Sequence, residues 1–395
     1  MSVNNEFDYG VLELGALIRG LSFDREKGAF VRFSPGFFPE GEGVITLPAG
    51  DFDEQKESLK SVFGLFDTAG KTMPCAVSVP AEGTFVLGTS FDEAGAESET
   101  THKVPTSFAP LPVIPASGRR ADTVLNKIAA VTGGAQGFGA GIARRLAEEG
   151  AFVYILDMNI EGAEALVSEL NSTAGKTTAM ALEVNVTSEE SVFKMTSEIL
   201  KNTGGLDLFV NNAGVLKAGS VKTLTLKDFN FVTSVNYTGY FICTKFVSAI
   251  MAKQNAMAEG YYTDIVQINS KSGLEGSNKN GAYAGGKFGG IGLTQSFALE
   301  LVEDRIKVNS ICPGNFFDGP LWSDPDRGLF VQYLNSGKVP GAKTIEDVKS
   351  FYEAKVPMKR GCYEDDVVKA ILYVSEQKYE TGQAVPVTGG QIMLN

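Results

Sequence analysis

One histidine, His102, is all that the sequence provides, and its scarcity excludes more than its presence suggests. Catalytic zinc sites are usually built from two or three histidines, and a Ser-His-Asp triad needs a well-placed imidazole base. His102 stands in a polar Thr-Thr-His-Lys stretch that reads as loop, so neither chemistry is expected and no metal is predicted. Cysteine is nearly as scarce. Cys75, Cys243, Cys312 and Cys362 lie far apart with no CxxC spacing, the pattern of a reduced cytosolic protein rather than of a disulfide framework. Positive charge is outweighed: 35 Lys and Arg against 47 Asp and Glu leave a formal net charge of -12. No sustained basic stripe is offered to a phosphate backbone, so nucleic acid is not an expected partner. No apolar run is long enough to span a bilayer, and the first residues show neither a basic nor an apolar leader region. A membrane is therefore not an expected partner either, and the cytoplasm is the expected location.

What the sequence does contain is enough apolar residue for a core: 43% hydrophobic and 21% charged over 395 residues, which suits a globular protein of two folding units, one clearly larger. The composition changes near residue 120. Residues 105–117 hold much of the proline and cannot run as a helix or a central strand. Residues 1–112 are read as a smaller α+β module, 113–125 as a proline-rich linker and 126–395 as the larger domain. Within the module the pattern predicts a helix around Glu57–Phe66 and two strands, Ala76–Val79 and Thr84–Gly88, joined by a Pro-Ala-Glu-Gly turn.

Beyond the linker, short β-rich apolar runs alternate with amphipathic stretches of helical length. The runs are Ile128–Val131, Phe152–Leu156, Met180–Val186, Leu206–Val210, Ile265–Ile268 and Val308–Ile311. That alternation predicts an α/β fold, a doubly wound parallel sheet of Rossmann type covered by helices on both faces.

The first run leads into Thr132-Gly133-Gly134-Ala135-Gln136-Gly137-Phe138-Gly139 and then a helical pattern. Glycines there permit a tight turn and let the backbone approach a pyrophosphate, and the helix N-terminus behind supplies N–H donors and a favourable dipole. The second run ends in Asp157, placed to accept hydrogen bonds from ribose hydroxyls and to repel a 2′-phosphate. No Arg or Lys directly follows it, so NAD is favoured over NADP. Asn211-Asn212-Ala213-Gly214 follows the fourth run; small and amide residues there suit backbone contact with a nucleotide, and equally an ordinary turn.

Tyr283 and Lys287 are four residues apart, hence on one face of a helix, and Ser270 lies at a strand end thirteen residues before Tyr283. Oxidising an alcohol needs a base for the hydroxyl proton, and free tyrosine titrates near ~10. A nearby ammonium lowers that value toward working pH, and a hydroxyl such as Ser270 can hold the substrate oxygen.

These features together resemble the short-chain dehydrogenase/reductase family, from about residue 126 to the C-terminus. The glycine loop Thr132–Gly139, Asn211–Gly214, Ser270, Tyr283, Lys287 and the turn Pro313-Gly314 all match that family's pattern. The resemblance implies a proton-relay role for Asn236, cofactor contacts from Asn185 and Val186, and a dimer or tetramer of the chain. At Asn185 the family commonly has Asp against adenine; Asn still accepts and donates hydrogen bonds.

The segments Ile265–Gly273, Tyr283–Ser296, Lys355–Cys362 and Val387–Gln391 narrow the resemblance to family members acting on polyol phosphates. The implied reaction converts sorbitol 6-phosphate and NAD⁺ to fructose 6-phosphate and NADH, so the implied partner is a small phosphorylated polyol or ketose. Such a substrate needs cations, and Lys271 beside Ser270 and Lys279 in the following loop could each meet its phosphate; both could equally be solvated loop lysines. Lys359 and Arg360 are weaker candidates. Residues 315–360 are expected to form a lid over the substrate.

Two readings compete with this one: a dehydrogenase of the same fold acting on another hydroxyl compound, and an NAD-binding sensor or scaffold without turnover. In the module, Ala76–Ala94 faintly resembles the tail of class II aldolase domains fused to dehydrogenases. With one histidine no zinc aldolase site can be built, so residues 1–112 are expected to pack or assemble, and their removal to leave the NAD-linked activity measurable.

Overall fold

The computed structural model describes residues 7–23, 28–36, 43–68, 74–95, 123–326, 328–335 and 337–393. His102 and the proline-rich 105–117 stretch lie outside them. The module opens with helix α1 (Glu13–Leu21), followed by β1 (Phe30–Pro35), β2 (Val44–Thr46), α2 (Phe52–Thr68), β3 (Ala76–Val79), β4 (Gly83–Gly88) and α3 (Phe91–Gly95). Its four strands form one sheet in the order β1-β4-β3-β2, with β4 antiparallel to both neighbours and β2 parallel to β3. The expected helix is longer than Glu57–Phe66, and both expected strands are present.

The larger unit alternates strand and helix as its hydrophobic pattern requires. Its elements are β5 (Ile128–Thr132), α4 (Gly137–Glu148), β6 (Phe152–Asp157), α5 (Ile160–Ala174), β7 (Ala179–Glu183), α6 (Glu189–Thr203), β8 (Leu208–Asn211) and α7 (Leu226–Thr233). A π-helical turn, Ser234–Thr238, leads from α7 into α8 (Gly239–Asn255), which precedes β9 (Thr263–Ile268) and α9 (Gly281–Leu301). The chain continues with β10 (Ile306–Pro313), α10 (Pro320–Ser323), α11 (Leu329–Asn335), α12 (Ile345–Ala354), α13 (Glu364–Glu376) and β11 (Ala384–Val387).

The seven strands run parallel in the order β11-β10-β9-β8-β5-β6-β7. Successive side chains of a strand face opposite layers. Along β5 and β6, Ala129, Val131, Val153 and Ile155 join a core with α4, α5 and α13, while Ile128, Ala130, Tyr154 and Leu156 join one with α6 and α8. The strand order reverses between β5 and β8, which opens a crevice at the strands' carboxyl ends. The third strand is shorter than the 180–186 apolar run: Val184 still donates its N–H to the Asp157 carbonyl at 3.0 Å, and Asn185 then turns the chain.

The module rests on the second of these layers. Ala16, Phe30 and Ala94 share a core with Phe152 and Tyr154, and Phe91 stacks on Phe152 at 4.6 Å between centroids. Helix α1 approaches α8 so closely that a Cβ on Gly20 would lie 2.1 Å from the Gln254 carbonyl oxygen. Arg19 is fully buried there, its Nη2 2.5 Å from Asp207 Oδ2. Asp207 also accepts from Tyr261 Oη at 2.6 Å and from the Ile128 N–H at 2.7 Å.

Candidate functional site

The glycine loop joins β5 to α4 with Gly133 and Gly137 at φ of 61° and 58°, left-handed conformations that side chains resist. Gly139 does a different job. A Cβ on it would come within 1.9 Å of the Gly133 carbonyl oxygen, so its bareness lets the first helical turn fold onto the loop. Asn212 ties the end of β8 to that loop: its Nδ2 donates to the carbonyls of Thr132 (2.9 Å) and Gly133 (3.1 Å). The N–H groups of Asn212 and Ala213 both reach Thr132 Oγ1 at 3.0 Å. At the end of β6, Asp157 accepts from the Ala135 N–H at 3.0 Å and from the Asn159 N–H at 2.9 Å, which orients its carboxylate beside the loop. Asn185 folds into a local turn, its Oδ1 accepting from the N–H and the hydroxyl of Thr187.

Ser270 leaves β9 in extended conformation and accepts the Ser272 N–H at 3.1 Å. Its own N–H is held by Asn269 Oδ1 at 2.8 Å, and Asn269 Nδ2 donates to the Lys287 carbonyl at 2.9 Å, fastening strand end to helix. Tyr283 lies in the first turn of α9, with Lys287 one turn on. The Lys287 Nζ is 5.6 Å from the centre of the Tyr283 ring and donates to the Ile268 carbonyl at 2.8 Å. Burial pushes the Tyr283 phenol upward, opposed by the Ser270 hydroxyl. Burial also lowers the Lys287 ammonium to about 8. Cys312, whose thiol burial raises to about 12, is a neutral neighbour of both.

One cleft of about 750 Å³ joins these groups. Gly133, Gln136, Gly137, Phe138 and Asp157 line one end, with Asn185 and Val186. Asn212, Ala213, Gly214, Pro313 and Gly314 follow, and Ser270, Lys271, Tyr283 and Lys287 stand beyond them. Three predicted residues are not in its wall. Gly139 acts from behind the loop. Asn236, in the π-helical turn, is buried and clamps Val215, donating to its carbonyl at 2.9 Å and accepting its N–H at 2.8 Å. Lys279 is exposed at a left-handed φ of 55°, with its carbonyl tied to the Gly219 N–H at 2.8 Å. Of the weaker candidates, Arg360 forms a two-pronged pair with Asp366 at 2.5 and 2.9 Å, and Lys359 donates to the Ala354 carbonyl.

The far wall comes from residues 315–360, as expected of a lid. Phe317, Trp322, Leu329, Phe330, Val348 and Val356 give this segment its own small core. From it Trp322, Tyr333, Lys338, Tyr352 and Lys355 reach the cleft. Phe316 at the lid's root stacks on Phe138 of the glycine loop, 4.4 Å between centroids. Sequence reading did not single out these aromatic residues or Lys338 and Lys355 as site residues, because no fixed spacing marks them; only the helix packing of the lid gathers them. Among the described residues no cluster of His, Cys, Asp and Glu could hold a metal.

The loop suits a dinucleotide: a Cβ at Gly137 would meet only the Pro320 ring, at 3.5 Å, so the backbone there faces space. Comparison with known proteins agrees. The profile of short chain dehydrogenases matches residues 127–321. Sorbitol-6-phosphate 2-dehydrogenase of Escherichia coli (strain K12) is 38% identical over 272 residues, covering 68% of this chain and 100% of that protein. The crystal structure of sorbitol-6-phosphate 2-dehydrogenase SrlD from Erwinia amylovora superposes with a TM-score of 0.62 at 38% identity, covering 67% of this chain and 100% of the other. That of an actinorhodin polyketide ketoreductase with NADPH gives 0.60 at 27% identity, over 67% and 97% of the two chains. A parallel seven-stranded sheet, a crevice at its reversal point and kinship along the whole length of such enzymes have one reading: this chain belongs to the short-chain dehydrogenase family and is an oxidoreductase.

Proposed function

We propose that the chain interconverts sorbitol 6-phosphate and fructose 6-phosphate with NAD as cofactor. The observation that carries this reading is the single cleft that joins a glycine loop and Asp157 to Ser270, Tyr283 and Lys287 and then to a lysine-bearing lid. The 38% identity to a sorbitol-6-phosphate 2-dehydrogenase over that enzyme's full length supports the substrate. Asp157 supports NAD, since a carboxylate repels the 2′-phosphate of NADP.

NAD, when bound, supplies the hydride acceptor. The loop backbone at Gly133, Gln136, Gly137 and Phe138 would hold its pyrophosphate, Asp157 its ribose, and Asn185 and Val186 its base. Asn212, Ala213, Gly214, Pro313 and Gly314 complete that wall. On the protein's side of the reaction, Tyr283 Oη takes the proton of the substrate hydroxyl, and the Ser270 hydroxyl holds the same oxygen. The Lys287 ammonium stabilises the phenolate form. Asn236, through its clamp on Val215, keeps the helix turn in which a proton path to solvent begins. In the reverse direction Tyr283 returns the proton to the forming alcohol.

Residues 1–112 are a packing module without a second activity in this reading, joined to the domain at 126–395 by the 113–125 linker. Exposed Phe241, Phe288 and Leu299 on α8 and α9 support a homo-oligomer, and four free cysteines suit a cytoplasmic location.

The test is a screen of polyols and polyol phosphates with NAD and NADP side by side. Turnover of sorbitol 6-phosphate well above sorbitol, with NAD preferred, is expected. Equal rates on the two polyols would sink the phosphate assignment. Tyr283→Phe should remove turnover by about a thousandfold or more while NADH still binds, judged by fluorescence titration. Unchanged turnover in that variant would overturn the role of the phenol.

A further inference from the structure

At the lid end of the cleft lysines outnumber carboxylates, Asp324 being the acidic lid residue that lines it. Lys271, Lys338 and Lys355 all line it, and none of the three is in an ion pair with a carboxylate among the described residues. Lys349, on the same lid, is instead matched by Asp318 at 3.3 Å and Glu353 at 4.0 Å. Two of these ammoniums are steadied by rings. Lys338 Nζ lies 3.7 Å from the centre of Tyr333, and Lys355 Nζ 4.1 Å from that of Phe351 and 5.2 Å from that of Tyr352. An aromatic face holds a cation in place without cancelling its charge. Lys271 is half-buried; desolvation lowers its pKa, Lys355 adds to that lowering and Glu275 opposes it. Positive charge gathered in a cleft of an acidic protein is costly until an anion arrives. Among the residues lining the cleft, Asn280 Oδ1 and Gln391 Oε1 are buried acceptors without hydrogen-bond partners.

We propose that Lys338 and Lys355, carried by the lid, join Lys271 as the phosphate-binding end of the substrate site, with the reacting carbon at the Ser270 and Tyr283 end. This rests on the proposed phosphorylated substrate for the identity of the anion. Lys279, the other sequence candidate, has no part in it. Two of the three cations are then supplied by the lid, Lys338 from the turn after α11 and Lys355 from the C-terminal end of α12.

The experiment uses the full-length enzyme and the exposed-site variants Lys338→Gln, Lys355→Gln and their double. With sorbitol 6-phosphate, each single change should raise KM by about tenfold or more with kcat little altered, and the double by about a hundredfold. The weaker rate on unphosphorylated sorbitol and the KM for NAD should stay as in the wild type. In parallel, inorganic phosphate should raise the melting temperature of the wild type saturated with NADH, and not that of the double variant. Sorbitol 6-phosphate turned over normally by the variants would overturn the inference and leave the proposed function standing. Lysine-dependent stabilisation by phosphate without turnover of sorbitol 6-phosphate would do the reverse. Equal losses on both polyols, or no stabilisation of the wild type by phosphate, would also overturn it.

Discussion

Lys287 is charged where charge is expensive. Its ammonium donates to the Ile268 carbonyl at 2.8 Å, and burial brings its pKa down to about 8. The folded protein therefore sheds this proton at lower pH than the unfolded chain, where lysine titrates near ~10.4. Between those values the unfolded state binds more protons, so stability should rise with pH across that window; below it, the buried charge costs stability. Melting curves should show the wild type gaining on Lys287→Met as pH rises from about 8 to about 10. The same variant should move the rising limb of kcat/KM for alcohol oxidation to higher pH by about a unit or more, because the Tyr283 phenol, already raised by burial, loses its cation. An unmoved pH profile would count against the pairing. Ser270, Tyr283 and Lys287 were legible because helical period and strand ends are written in apolar spacing. Lys279 lies exposed at a left-handed φ of 55° and outside the cleft wall, the solvated-loop alternative that the sequence left open, and nothing in a lysine announces that conformation.

Among the elements, the glycine loop separates two kinds of glycine requirement. Gly137→Ala would meet no close atom but must keep φ at 58°, a strain of about 1–2 kcal/mol. Gly139→Ala drives a methyl to 1.9 Å from a backbone oxygen, so the helix must shift off the loop. The expected order is a larger loss of NADH affinity for Gly139→Ala, about tenfold or more, than for Gly137→Ala, checked by titration. The reverse order would show that loop conformation, not helix approach, limits binding. Most strands of the large sheet were readable from their apolar runs; β11 was not, because Ala384–Val387 carries Pro386, a residue tolerated there only at a sheet edge. Helix α1 was hidden too. Gly15 and Gly20 each weaken a helix by about 1 kcal/mol, yet a side chain at Gly20 would strike the α8 backbone. Residues that argue against the helix locally are the ones that let it dock.

For the molecule as a whole, the composition break near residue 120 pointed to a division of the chain but not to how its two sheets are joined. Their joint is a shared core and one fully buried ion pair, Arg19–Asp207, at the amino end of β8. Breaking such a pair from one side leaves an uncompensated charge and costs about 3–5 kcal/mol. Arg19→Leu is therefore expected to lower the free energy of chemical unfolding by about that amount. Because Asp207 precedes β8 and the proposed catalytic groups lie beyond the opposite strand ends, kcat/KM of the folded variant should stay within about twofold of wild type. A full activity loss in folded Arg19→Leu would give the module a share in catalysis. Outright deletion of residues 1–112 is the blunter test, since it also strips Phe30 and Phe91 from Phe152.

The lid carries Trp322, the one tryptophan of the chain, packed edge-on against Phe317 and Tyr352 at the cleft wall. Its indole is thus a built-in optical probe of that wall, with no second emitter of its kind to subtract. Light emitted by Trp322 should be quenched by energy transfer when reduced cofactor binds, and should change again when a phosphate settles against the lid. The two occupancies can then be followed separately, in the unlabelled protein.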